Sequence, residues 1–243
     1  MKSWRTLLLV YRELDVWLPV GPDSLEAPKN GSAERRTKRR KRFHHVAAAR
    51  EITDALDSFA GFPKLVSELT DGRAGIEYEI VRPSHALNSL TRESPSRFWP
   101  SPDDIRSDLD EFSPSGKYHS IFVFWPQRDS KNSTAVPCDA WGLAVGASEW
   151  TNGATYAVIA NAPSSAWRNE AAGEVWLHEW LHGVCAHFAQ HGYVMPERDA
   201  DGGELHNYVR SSTAGWTEYY RDLMNGNVLE NGKRFGIPSD AWI

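Results

Sequence analysis

The segment that most restricts what this chain can fold into is EVWLHEWLHGVCAHFAQ, residues 174–190. Val175, Trp176, Leu177, Trp180, Leu181, Val184 and Phe188 recur at helical spacing and give apolar surface on more than one side. Such a helix has to be packed into a core, so the fold must supply a sheet or further helices around it. A helix is expected from about Glu170 to Gln190, with Gly192 as its C-terminal stop. Within it, His178 and His182 stand at i and i+4, on one face and about one turn apart. Two unpartnered imidazoles inside a buried helix are costly, so the pair needs a role.

The remaining chain alternates strands and helices. Strands are expected at Thr6–Leu14, AGIEYEIVRP, YHSIFVFWP, WGLAVGASEW and ATYAVIANAP, by runs rich in apolar and β-branched residues. Helices are expected from Phe43 to Phe59, over SPDDIRSDLDEF with Ser101 as N-cap, and at GWTEYYRDLMNG. The segment PVGPDSLEAPKNGSAE reads as a loop, and MPERDADGGELHNY as an irregular acidic stretch. The order implies an α+β layout, helices against a mixed sheet, followed by an irregular C-terminal part.

Composition narrows the class. The 243 residues are 41% hydrophobic and 24% charged, as in ordinary globular proteins. A net charge of -5 gives no global pull toward nucleic acid or anionic membrane. The run RRTKRRKR at 35–42 has seven basic residues in eight, yet the rest of the chain is acidic, so nucleic-acid binding is not expected. A solvated loop or a processing site is the alternative for that run. No apolar run approaches the roughly 20 residues that span a bilayer. Leu7–Val10 is shorter than the roughly 7–15 residues of a signal-peptide core, so the expected location is cytoplasmic, or outside the cell by a signal-independent route. Cys138 and Cys185 are expected as free thiols.

His178-Glu179-Trp180-Leu181-His182 places a carboxylate between two potential metal ligands. On a helix, both imidazoles can point at one zinc ion while Glu179 reaches a water bound to it, which is why this spacing carries hydrolytic chemistry. Glu174, one turn before His178, is a candidate hydrogen-bond partner behind the ligands. A third ligand must come from beyond the helix. His206, in GGELHNY, is favoured because Gly202 and Gly203 let the chain turn back. Glu218, with Asp222 four residues on, and the acids between 199 and 204 are the alternatives. Tyr208 is taken first as the group stabilising negative charge on a substrate carbonyl, with Tyr219 and Tyr220 as the other candidates.

On His178, Glu179 and His182, on the two strands before them and on the acidic segment after them, the chain resembles the zincin metallopeptidases. The metzincin subclass is excluded, because Cys185 and Phe188 stand where it requires glycine and histidine. The resemblance implies one zincin-like domain over 1–243, with a sheet-and-helix part at 1–163 and the active-site helix and C-terminal part at 164–243. It implies one catalytic Zn2+, a protein or peptide substrate, and hydrolysis of peptide bonds with Glu179 as general base. It also implies that the strand at Ala154–Ala160 runs along the cleft and pairs with substrate. A zinc amidohydrolase acting on a non-protein amide, or a binding protein held together by zinc, would use the same ligands.

Overall fold

The computed structural model describes residues 2–19, 40–94, 96–129, 131–140, 142–161 and 171–242. In chain order the main elements are β1 (Lys2–Val10), β2 (Glu13–Pro19), β3 (Arg40–Val46), α1 (Ala49–Leu69), β4 (Ala74–Val81), β5 (Thr91–Ser94), β6 (Arg97–Trp99), α2 (Arg106–Phe112), β7 (Ser120–Trp125), β8 (Arg128–Asp129), β9 (Thr134–Ala135), β10 (Gly142–Val145), β11 (Thr155–Ala160), α3 (Glu174–Gln190), α4 (Thr217–Leu223), β12 (Val228–Glu230) and β13 (Lys233–Phe235). This is the α+β architecture expected.

Five strands form a mixed sheet in the order β10-β11-β7-β1-β4. All neighbours pair in parallel except β10, which runs antiparallel to β11 at one edge. The inner strands are buried on both faces, which explains why SIFVFW in β7 is nearly continuous in apolar residues. Side-chain alternation then sorts each strand into two cores. Trp4, Leu8, Val10, Phe122, Phe124, Ala157 and Ile159 face helices α1 and α3. Leu7, Leu9, Ile121, Val123, Trp125, Tyr156 and Val158 face the other way, against β2, β3 and α2. The stripe Ala55, Phe59, Phe62, Val66 and Leu69 brings α1 onto the first face.

Three element boundaries depart from the sequence reading. The first strand ends at Val10, and Glu13–Pro19 is a separate strand hydrogen-bonded to Arg40–Val46. Helix α1 therefore starts at Ala49 rather than Phe43, because Phe43 and His45 are committed to that ribbon, and it continues to Leu69. Helix α2 starts at Arg106, since Ser101 does not cap it: the Ser101 amide and hydroxyl both donate to Asp104 at 2.8 Å. Residues 35–39 of the basic run lie outside the described residues, and Arg40–Arg42 sit on β3. Both cysteines are free. Among the described residues, no helix is long and apolar enough to cross a membrane.

Candidate metal centre

Helix α3 is held in one rotation by its tryptophans. The Trp176 indole N–H donates to Ser58 of α1 at 3.2 Å, and that of Trp180 to Ser120 of β7 at 2.9 Å. Gly173, with φ 92°, lets the chain enter the helix: a Cβ there would lie 2.3 Å from the Phe62 backbone nitrogen. With the tryptophan face buried, the His178–His182 face is turned into a cleft of about 800 Å³ between β10 and the chain after the helix.

The two imidazoles meet through their Nε2 atoms, 3.3 Å apart. Their Nδ1 atoms are engaged elsewhere. His178 Nδ1 lies 2.7 Å from the Tyr220 hydroxyl, and His182 Nδ1 lies 2.6 Å from Asp199 Oδ1. Asp201 closes the group, with one carboxylate oxygen 3.5 Å from His178 Nε2 and the other 3.9 Å from His182 Nε2. Among the described residues, His178, His182 and Asp201 are the one cluster of three side chains able to hold a metal ion. Zinc with bonds of about 2.0–2.1 Å in a tetrahedron sets neighbouring ligand atoms about 3.3–3.4 Å apart. The two imidazoles match that spacing at 3.3 Å, Asp201 stands wider at 3.5 and 3.9 Å, and two imidazoles with a carboxylate are donors that zinc accepts.

Glu179 lies behind this triangle, its Oε1 4.0 Å from His178 Nε2. It is 7% exposed, and burial pushes its carboxyl up to about 7. Strand β10 passes directly over it: a Cβ at Gly142 would lie 2.3 Å from the Glu179 carboxyl carbon. For His182, burial lowers the pKa, but the hydrogen bond and charge of Asp199 outweigh it and the net shift is upward. His178 is pulled below the usual imidazole value by burial first and by the neighbouring His182 charge second.

The chain after α3 does return to the cleft, as a metal site requires, but earlier than His206. Asp199–Asp201 form a short 3-10 turn packed on α3. Arg198 and Asp199 both have positive φ, 65° and 33°, a conformation that costs non-glycine residues energy. The Tyr219 hydroxyl, donating to the Asp199 carbonyl, helps to hold the turn. The structure thus brings Asp201, one of the acids weighed from the sequence, to the histidine pair. His206 is instead buried beside Tyr219, its Nε2 3.1 Å from the Glu197 carbonyl, and stands apart from the pair.

Tyr208 also points away, donating to Asp222 at 2.6 Å, so this pair is already satisfied. Glu218 is on the exposed side of α4 and does not line the cleft. Tyr220, two residues on, does line it. The strand at Thr155–Ala160 is paired on both sides, by β10 and β7, so it has no free edge for substrate. The open edge beside the histidines belongs to β10.

No protein-family model matches this chain, and no curated protein does. Among solved structures, the crystal structure of metalloproteinase-II from Bacteroides fragilis is similar, with a TM-score of 0.38 and 12% identity. The likeness covers 74% of this chain and 41% of that one, so this chain spans about two fifths of that protein. It is too loose to transfer any residue's role.

Proposed function

We propose that this protein is a zinc-dependent metalloendopeptidase. The observation that carries the reading is the convergence of His178 Nε2, His182 Nε2 and Asp201 within 4.8 Å of one another, with the buried Glu179 carboxylate beside them. Asp201 takes the place that His206 was expected to fill, and the donor set becomes two imidazoles and one carboxylate. When bound there, zinc would lower the pKa of a water to about 7 and polarise a substrate carbonyl.

The chain's own residues supply the rest. Glu179, buried beside the histidine pair with Oε1 4.0 Å from His178 Nε2, accepts the proton of the attacking water and passes it to the leaving nitrogen. Strand β10 stands at the edge of the sheet alongside the cleft, so an extended peptide can add to the sheet there. That edge replaces Ala154–Ala160 as the substrate-pairing strand. Neither Tyr208 nor His206 has a role in this scheme. On this reading residues 1–243 act as one metallopeptidase domain, its cleft walled by the sheet on one side and by residues 199–220 on the other.

The test is metal content followed by proteolysis. Purified protein should carry one zinc per chain and cleave an unstructured protein substrate, and a chelator should stop cleavage until zinc is restored. Cleavage that survives full removal of metal would refute the reading.

A further inference from the structure

We propose that a cavity outside the carboxyl ends of β1 and β4 is a second binding site, one that takes a small molecule with an oxyanion head, carboxylate or phosphate, and a short apolar body. The inference does not depend on the metal site. This cavity of about 760 Å³ shares no lining residue with the histidine cleft. Its volume is in the range of ligand pockets, and sheets of parallel strands bind ligands outside the carboxyl ends of those strands. Strand β1 ends at Val10, which lines the cavity, and Arg12 follows two residues on. Strand β4 ends at Val81, and Arg82 follows it directly into the cavity wall.

The walls divide by chemistry. Val10, Val46, Ile52 and Pro83 give apolar surface, and Arg12 and Arg82 bring two guanidinium groups. Other arginines of this protein are tied to carboxylates: Arg42 to Asp15 at 2.5 Å, Arg97 to Asp139 at 2.5 Å and Arg106 to Asp110 at 3.5 Å. Among the described residues, no hydrogen bond or ion pair engages the guanidinium of Arg12 or Arg82. The acid in the cavity lining is Glu13, and its carboxylate is turned to His44 Nε2 at 2.8 Å. The cavity therefore offers two cationic forks, each shaped to take a carboxylate or phosphate through paired N–H bonds. The backbone that carries them is fixed beforehand. Next to Arg12, the Tyr11 N–H donates to the Phe124 carbonyl at 3.0 Å, and the Arg12 carbonyl accepts the Ala47 N–H at 2.9 Å. Beyond Arg82, His85 Nε2 lies 2.9 Å from the buried Asp108 carboxylate. Leu87 then exchanges backbone bonds with Glu13 at 2.8 Å and Asp15 at 2.9 Å. A ligand entering here does not have to order the chain around it, which removes a usual cost of binding.

The test titrates the protein with hexyl phosphate, hexanoate, inorganic phosphate and hexanol, read by calorimetry and by the thermal midpoint. Hexyl phosphate, hexanoate or both should bind and raise the midpoint, and the tighter of the two names the head group. Added salt should weaken that binding, since the arginines are exposed to solvent. Inorganic phosphate should bind less tightly than hexyl phosphate for want of an apolar body, and hexanol should not bind. Arg12→Gln and Arg82→Gln should each weaken anion binding about 10–100-fold, the usual loss for a hydrogen bond to a charged group. Both side chains are on the surface, so the midpoint of the unliganded variants should stay at the wild-type value. Three results would each overturn the proposal: no binding of any of the three anions at millimolar concentration, anion binding unchanged in the double Arg12→Gln, Arg82→Gln variant, or hexanol bound as tightly as hexyl phosphate.

Discussion

The end of α3 offers a comparison on one helix. His178 and His182, and then His187 and His191, are two histidine pairs with the same spacing of four. The first pair faces nitrogen to nitrogen, with Nδ1 atoms anchored on Tyr220 and Asp199 and Asp201 closing the triangle. In the second pair the rings lie over one another, with centroids 4.3 Å apart. His191 Nδ1 turns back to the His187 carbonyl at 2.7 Å, and the His187 ring packs edge-on to Trp4. Among the described residues no acid joins the second pair into a group of three. Identical spacing therefore gives a candidate metal site only where another element brings an acid to the Nε2 side.

That difference can be tested from its largest consequence downward. His178→Ala and His182→Ala should each leave protein that retains no stoichiometric zinc after gel filtration, whereas His187→Ala and His191→Ala should retain it fully. Equal zinc loss from both pairs would erase the contrast. Glu179→Gln should keep the metal and lower cleavage by about 10²–10⁴-fold, the usual cost of removing a general base; a variant that still cleaves at the wild-type rate would remove Glu179 from the mechanism.

Asp199→Ala removes the partner of His182 without touching a ligand atom. Metal affinity should fall about 10–100-fold, measurable by chelator competition, and unchanged affinity would mean that Asp199 only shapes its turn. Gly142→Ala forces a methyl against Glu179. Overpacking of this kind costs about 1–3 kcal/mol, so the thermal midpoint should drop and cleavage should weaken while zinc content holds. A well-behaved, fully active Gly142→Ala protein would show that β10 does not press on the base.

The smallest effect concerns a histidine outside the candidate metal site. His45, on β3, is buried, and that burial lowers its pKa despite the Pro126 carbonyl 3.3 Å from Nδ1. Its folded pKa lies below the unfolded value of about 6.5, so between the two the unfolded chain binds more protons. His45 thus lowers stability as pH falls from about 6.5 toward its folded pKa, and costs nothing of this kind above that window. Denaturant midpoints across pH 5–8 should fall less steeply on the acid side for His45→Gln than for the wild type; parallel curves would assign the acid loss to other groups.

Much of the α+β layout was readable because its signals are local. SIFVFW in β7 and TYAVIA in β11 are short apolar runs that only strands buried on both faces need, and the tryptophan pattern of α3 demands a core on more than one side. His178, Glu179 and His182 were legible for the same reason, since a helix alone sets their spacing. The ribbon of β2 and β3 was not. Phe43 and Val46 fit a helical period as well as a strand, and pairing with Glu13–Pro19, across 20 intervening residues from 20 to 39, decided the matter. The third donor was equally hidden. The acidic segment offered Asp199, Asp201 and Glu204 with no local mark to separate them, and His206 was favoured because Gly202 and Gly203 let the chain turn back. Only the path of the chain after Pro196, with two strained residues turning Asp199 and Asp201 onto α3, settled which side chain arrives. The sequence by itself determined the helix, its two histidines and the carboxylate between them, because those follow from 3.6 residues per turn. The tertiary structure alone decided which acid stands beside the histidine pair, the partners at each Nδ1 and which strand forms the sheet edge, because these depend on contacts between segments that the chain holds far apart.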